Sequence, residues 1–128
     1  MNKRHQQVVE ELSRLRVRQF AADSLRLRRR EMETDALRLV ADELPQPSPM
    51  VACAHLRWQE ESLRATVAHI ERALDALPLP QNTILRAMYV DQREGAVAWL
   101  VANLHTSRSS LYRTRDRALT RMAEMLGM

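Results

Sequence analysis

Five arginines, Arg108, Arg113, Arg115, Arg117 and Arg121, stand in a stretch that holds a single acid, Asp116. A guanidinium fork matches O6 and N7 of guanine, and it matches phosphate oxygens. A merely solvated helix face usually mixes its signs more evenly than this. Ser107, Ser109, Ser110 and Tyr112 are interleaved with the arginines, and their hydroxyls suit phosphate oxygens and base edges. At about 100° per residue, Ser109, Tyr112, Arg113, Asp116 and Thr120 fall on one side of a helix, and Leu111, Thr114, Ala118, Met122 and Met125 on the other. The apolar side is expected to pack and the polar side to read a DNA groove. The candidate DNA-binding residues are therefore Ser107, Arg108, Ser109, Ser110, Tyr112, Arg113, Arg115, Asp116, Arg117 and Arg121. Arginine-rich second helices also occur in plain bundles, so helical packing without DNA is the competing reading.

Upstream residues would hold that helix in place. Val97, Leu100, Val101 and Leu104 fall at i, i+3, i+4 and i+7 and put four apolar side chains on one helix face. Thr106 or Ser107 then supplies the side-chain oxygen that a helix start needs. Leu77-Pro78-Leu79-Pro80 precedes an amphipathic run through Ile84, Leu85, Met88 and Tyr89, the third wall of a trihelical unit. At the turn, where helix-turn-helix proteins often carry Gly, this chain has His105, which implies a strained or altered turn. Trp99 is expected to point away from the packing stripe.

From about Ile70 onward the sequence resembles the C-terminal half of the ArpU/RinA group of phage late-gene transcriptional regulators. That half is itself similar to region 4 of bacterial sigma factors. The most specific stretches are Ser107-Arg108-Ser109-Ser110-Leu111-Tyr112-Arg113 and Ala123-Glu124-Met125-Leu126-Gly127, and the resemblance covers somewhat under half of the chain. It implies a phage or prophage protein that binds a promoter and activates late genes, including packaging and structural ones, with the helix at about 107–126 in the major groove.

Composition sets the fold class. With 128 residues, 45% of them apolar, 4% aromatic and only two Gly, and with no run that alternates long enough for a strand, the chain is expected to be all-α. The architecture expected is long N-terminal helices followed by a C-terminal trihelical helix-turn-helix unit. The net charge of +4 hides an uneven distribution: nine basic against three acidic residues in 1–30, four against nine in 31–77, and seven against four in 78–128. Either the basic ends face a polyanion, or the acidic middle pairs with a basic end of a partner subunit.

Prolines divide the chain. Pro45, Pro47 and Pro49 mark a linker, and Pro78 and Pro80 a second boundary, giving a helical oligomerisation or partner-contact region at 1–77 and a DNA-binding domain at 78–128. In the first segment, Val8, Leu12, Leu15, Ala22, Leu25, Met32, Ala36 and Leu39 form a stripe interrupted by Gln19 and Arg29. This suits packing against another helix or a second copy. The cluster Arg26 to Arg30 reads best as a solvated face balanced by Glu31, Glu33 and Asp35, although it could touch phosphate. In the second segment, Val51, Ala54, Trp58, Val67, Ile70, Leu74 and Leu77 run along one side, and Trp58 is expected to anchor the core.

Other chemistry is missing from the pattern. His5, His55, His69 and His105 are scattered without metal-site spacing, Cys53 has no cysteine partner and is expected to be a buried small apolar group, and Gly95 and Gly127 are too few for a phosphate-cradling loop. No enzyme activity, metal or cofactor is expected. The chain has no apolar stretch of transmembrane length, and its start leads into an amphipathic helix, so a soluble protein of the bacterial host cytoplasm is expected. The expected partners are double-stranded promoter or operator DNA, RNA polymerase and a second copy of the chain, with no membrane. Two alternatives remain: a phage small terminase subunit, whose helix-turn-helix usually precedes its oligomerising helices, or a helical protein-interaction module without DNA affinity.

Overall fold

The computed structural model of the protein describes residues 1–41 and 48–128, apart from the side chains of residues 36, 39–41, 48 and 49. Every element among the described residues is helical, and none of these helices is long and apolar enough to cross a membrane. Pro45 and Pro47 of the expected linker lie outside the described residues, as do the side chains of Pro49, Ala36 and Leu39. By contacts the chain divides into one unit of Met1–Arg16 with Ala68–Met128 and another of Val17–Val67. The proline boundary at residue 78 thus falls inside the first unit.

In the first unit, α1 (Lys3–Ser13) starts at Asn2, whose side chain accepts a hydrogen bond from the His5 amide at 2.8 Å. Its Val8 and Leu12, followed by Leu15 at the start of α2 (Leu15–Ala41), are fully buried. Of the two expected coverings, another helix or a second copy, this part of the stripe has the first: it is covered within the chain. The end of α3 (Ser48–Asp75) contributes buried Ile70, Ala73 and Leu74, with Leu77 just beyond it. Pro78 cannot continue that helix and instead opens α4 (Leu79–Leu85), whose Asn82 side-chain Nδ2 donates to the Leu74 carbonyl at 2.7 Å. Arg86 adds ion pairs to Glu71 at 2.7 Å and Asp75 at 3.0 Å. A π-helical turn, Arg86–Val90, extends α4, and its closing Asp91 amide reaches back five residues to the Arg86 carbonyl at 2.8 Å.

Two further helices complete this unit, α5 (Ala96–Leu104) and α6 (Arg108–Met125), and α6 packs against α1, α4 and α5. Ile84, Ala87, Leu100 and Leu111 form a buried cluster, flanked by Met88, Val97, Trp99, Val101 and Leu104. The α5 stripe therefore packs as its spacing predicts. Trp99 departs from expectation: it is half-buried against this cluster, with the Arg93 guanidinium 4.2 Å from its ring centre.

In the second unit, α2 and α3 run antiparallel. Arg64 meets Asp23 at 3.1 Å, Arg29 meets Glu60 at 3.2 Å and Arg57 meets Glu33 at 3.3 Å, so residue numbers fall on one helix as they rise on the other. Ala22, Leu56 and Glu60 are buried here. Trp58 is not the expected core anchor, because 64% of its surface is exposed. It stands two residues from both Leu56 and Glu60, roughly 200° around the helix from each, so the side that turns these two inward turns Trp58 outward. Val51 and Ala54 are likewise exposed, and Cys53 is half-buried rather than buried.

Candidate nucleic-acid interface

Three residues join α5 to α6. His105 adopts the left-handed conformation, φ 51° and ψ 48°, and its amide donates to the Val101 carbonyl. The altered turn expected at a non-glycine residue is thus a left-handed one, which a β-carbon disfavours. Of the two capping candidates, Ser107 is the cap: its hydroxyl accepts from the Ser110 amide at 3.1 Å. Ser107 is itself extended, φ −87° and ψ 161°, and as the cap it satisfies one of the free amides at the helix start and fixes where α6 begins.

The buried side of α6 is broader than the expected stripe. Leu111, Ala118 and Met122 are buried as expected, and Leu119 and Ala123 are buried as well, because α6 has three neighbours rather than one. Their position, one residue after Ala118 and Met122, was the available signal for a wide apolar face. Thr114 is half-buried, with its hydroxyl donating to the Ser110 carbonyl at 2.9 Å, and Met125 is exposed over 39% of its surface.

The candidate residues separate into two groups. Arg108, Ser109, Tyr112, Arg113, Arg117 and Arg121 are exposed. Arg113, Arg117 and Arg121 follow at i, i+4 and i+8 along one line of the helix, and none has an ion-pair partner among the described residues. Arg113 makes one long contact, from Nη2 to the Ser110 hydroxyl at 3.4 Å. The second group is tied into the fold. Ser107 caps, Ser110 is half-buried beside it, and Arg115 donates to Asp116 Oδ1 from Nε at 3.0 Å and from Nη2 at 2.9 Å. The Arg115 side chain is only 19% exposed and its guanidinium lies 4.9 Å from the Tyr112 ring centre. Burial works against its charge, but the bond to Asp116 and the neighbouring Tyr89 outweigh this and hold Arg115 above the usual guanidinium range. Burial likewise pushes the Tyr89 hydroxyl up, against the pull of Arg115.

Thr120 is exposed, as expected of the open side, and is nevertheless engaged with another element. Its hydroxyl is 2.8 Å from Nε2 of the buried His5, and nearby Arg4 Nε donates to the Met128 carbonyl at 2.9 Å. This junction with α1 was not legible, since the two residues are 115 positions apart. A shallow groove beside it is lined by Gln81, Asp116, Arg117, Thr120, Arg121 and Glu124. Charge on the exposed side therefore changes along the helix: the first turns carry Arg108 and Arg113 alone, while Arg117 and Arg121 stand beside Asp116 and Glu124. Among the described residues no group of three or more His, Cys, Asp or Glu could hold a metal ion. No protein family, curated protein or solved structure matches the chain.

Proposed function

We propose that α5 and α6 act as a helix-turn-helix within residues 78–128, and that the protein is a sequence-specific DNA-binding transcriptional activator. In this reading α6 enters the major groove, led by its N-terminal turns. The observation that carries it is the exposure, on one end of one helix, of Arg108, Ser109, Tyr112 and Arg113 with no carboxylate among them. In helix-turn-helix docking it is the N-terminal residues of the second helix that reach base edges. Arg113 and Arg108 are the candidates for guanine contacts, and Arg117 and Arg121, further along and balanced by acids, for phosphate contacts. Ser107 and Arg115 support the helix rather than read bases. The resemblance of the segment from about Ile70 to phage late-gene regulators extends the proposal to promoter DNA of a phage or mobile element, with contact to RNA polymerase as the activating step.

Selection of bound fragments from a random double-stranded library by the full chain tests this reading. One enriched motif, protected in a footprint on DNA flanking the gene, is the expected result. Affinity that depends on salt but not on sequence, with no enrichment, overturns it.

A further inference from the structure

The α2–α3 unit has an apolar face that nothing within that unit covers. On α3, Val51, His55, Trp58 and Ser62 follow at three- and four-residue steps, and of the charged residues of this stretch Arg57, Glu60 and Arg64 fall on the other side, while exposed Glu61, three residues after Trp58, stands at the edge of the face. On α2, Val17, Phe20, Ser24 and Leu27 make a parallel run. A groove between the helices is bordered by Val17, Phe20, Ser24, Trp58 and Ser62. Phe20 is 74% exposed and Trp58 64%, and Val17, Leu27 and Val51 are exposed over most of their surface.

We infer that this face binds the same face of a second copy of the chain, in a two-fold arrangement where each groove receives the other's rings. The area fits such a dimer. Rings of this size carry about 150–250 Å² each, so the two leave on the order of 250 Å² open. The three aliphatic side chains bring on the order of 200 Å² more. A standard interface takes about 800 Å² per partner, of which about 65% is apolar in homodimers, or roughly 500 Å². The charge pattern fits the same occupant: exposed Glu61 at the edge of the α3 side repels a polyphosphate, and exposed Arg28, four residues after Ser24 on α2, gives a second copy an opposite charge to meet. Ser24, Gln59 and Ser62 supply polar atoms between the apolar contacts. The dimer rests on the α2–α3 unit alone and does not depend on the DNA-binding reading.

Light scattering on the full chain at about 10–100 µM is expected to give twice the single-chain mass of 14.9 kDa. Phe20→Glu and Trp58→Glu should each return the mass to one chain at the same concentration, with helical circular dichroism retained because both side chains lie outside the core. Leu79→Glu, on an exposed residue of the other unit, should leave the dimer intact. In the wild type, tryptophan emission should shift to the red on dilution as Trp58 becomes hydrated. A single-chain mass for the wild type overturns the inference whatever the variants do. So does a dimer that survives both glutamate substitutions, or one that dissociates with unchanged emission.

Discussion

Arg113 and Arg115 are two residues apart on one helix and serve different ends. Arg113 is exposed and touches only the Ser110 hydroxyl at 3.4 Å, whereas Arg115 is held by Asp116 and lies over the Tyr112 ring. Arg113→Ala is expected to weaken specific DNA binding by about 1–3 kcal/mol and to relax sequence preference, with the melting temperature nearly unchanged. Arg115→Ala should lower the melting temperature and reduce binding to all sequences in parallel. Competition binding paired with thermal melts separates the two, and a change of sequence preference from Arg115→Ala with no loss of stability would contradict these roles. Ser107→Ala, which removes the cap, should cost about 0.5–2 kcal/mol of stability. The arginine density was legible because it needs only residue types. The division within it was not, because adjacent residues do not normally face each other on a helix. What turns Arg115 inward is the pair of tyrosines, Tyr89 and Tyr112, one of them on another element.

At the scale of elements, the angle between α5 and α6 depends on His105 and on the cluster that joins Leu100 to Leu111. His105→Gly places at φ 51° the one residue without a β-carbon and should stabilise the chain by about 0.5–1 kcal/mol, read as a higher melting temperature. An unchanged or lower value would mean that the imidazole compensates the strain. Leu111→Ala leaves a cavity beside Ile84 and Leu100 and should cost on the order of 2–5 kcal/mol, with DNA binding falling together with stability. Ser109→Ala, on the exposed side, should reduce binding while the melting temperature stays nearly constant. The packing side of α5 was legible because a three-and-four-residue apolar period has one physical reading in so short a helix, and that of α6 was legible in part, through Leu111, Ala118 and Met122. On α3 the period was misleading, since Val51, Ala54 and Trp58 continue the spacing of Ile70 and Leu74 yet lie outside. The side that meets α2 is set there by Leu56 and Glu60, a leucine between His55 and Arg57 and a buried acid, which no apolar period marks. The π-helical turn after Leu85 left no trace in composition either.

Across the whole molecule, charge does two jobs. In α6 the unpaired arginines suit an external polyanion: Arg117→Ala and Arg121→Ala should each lower affinity for every sequence and reduce the slope of log affinity against log salt by about one. In the α2–α3 unit, Arg26, Arg28 and Arg30 of the cluster expected to be solvated are exposed, but Arg29 is paired between Glu33 and Glu60, and Arg64 lies between Glu60 and Asp23. Burial pushes the Glu60 carboxyl up, but the hydrogen bonds from Arg64 and Arg29 outweigh it and hold Glu60 below its usual value of 4.5. The folded state therefore binds this proton less readily than the unfolded chain does. Stability from Glu60 is present above the unfolded value and is lost as pH falls through the lowered folded value. Glu60→Gln keeps the shape but removes the charge, so it should lower the melting temperature at pH 7, where Arg29 and Arg64 lose their shared carboxylate. The gap between wild type and variant should then narrow as the pH is taken below about 4.5, because protonation leaves the wild type equally neutral at this position. Paired thermal melts between about pH 7 and pH 3 measure it. A gap that stays constant across that range would mean that the Glu60 charge contributes nothing and that the acid is tolerated by water rather than held by the two arginines.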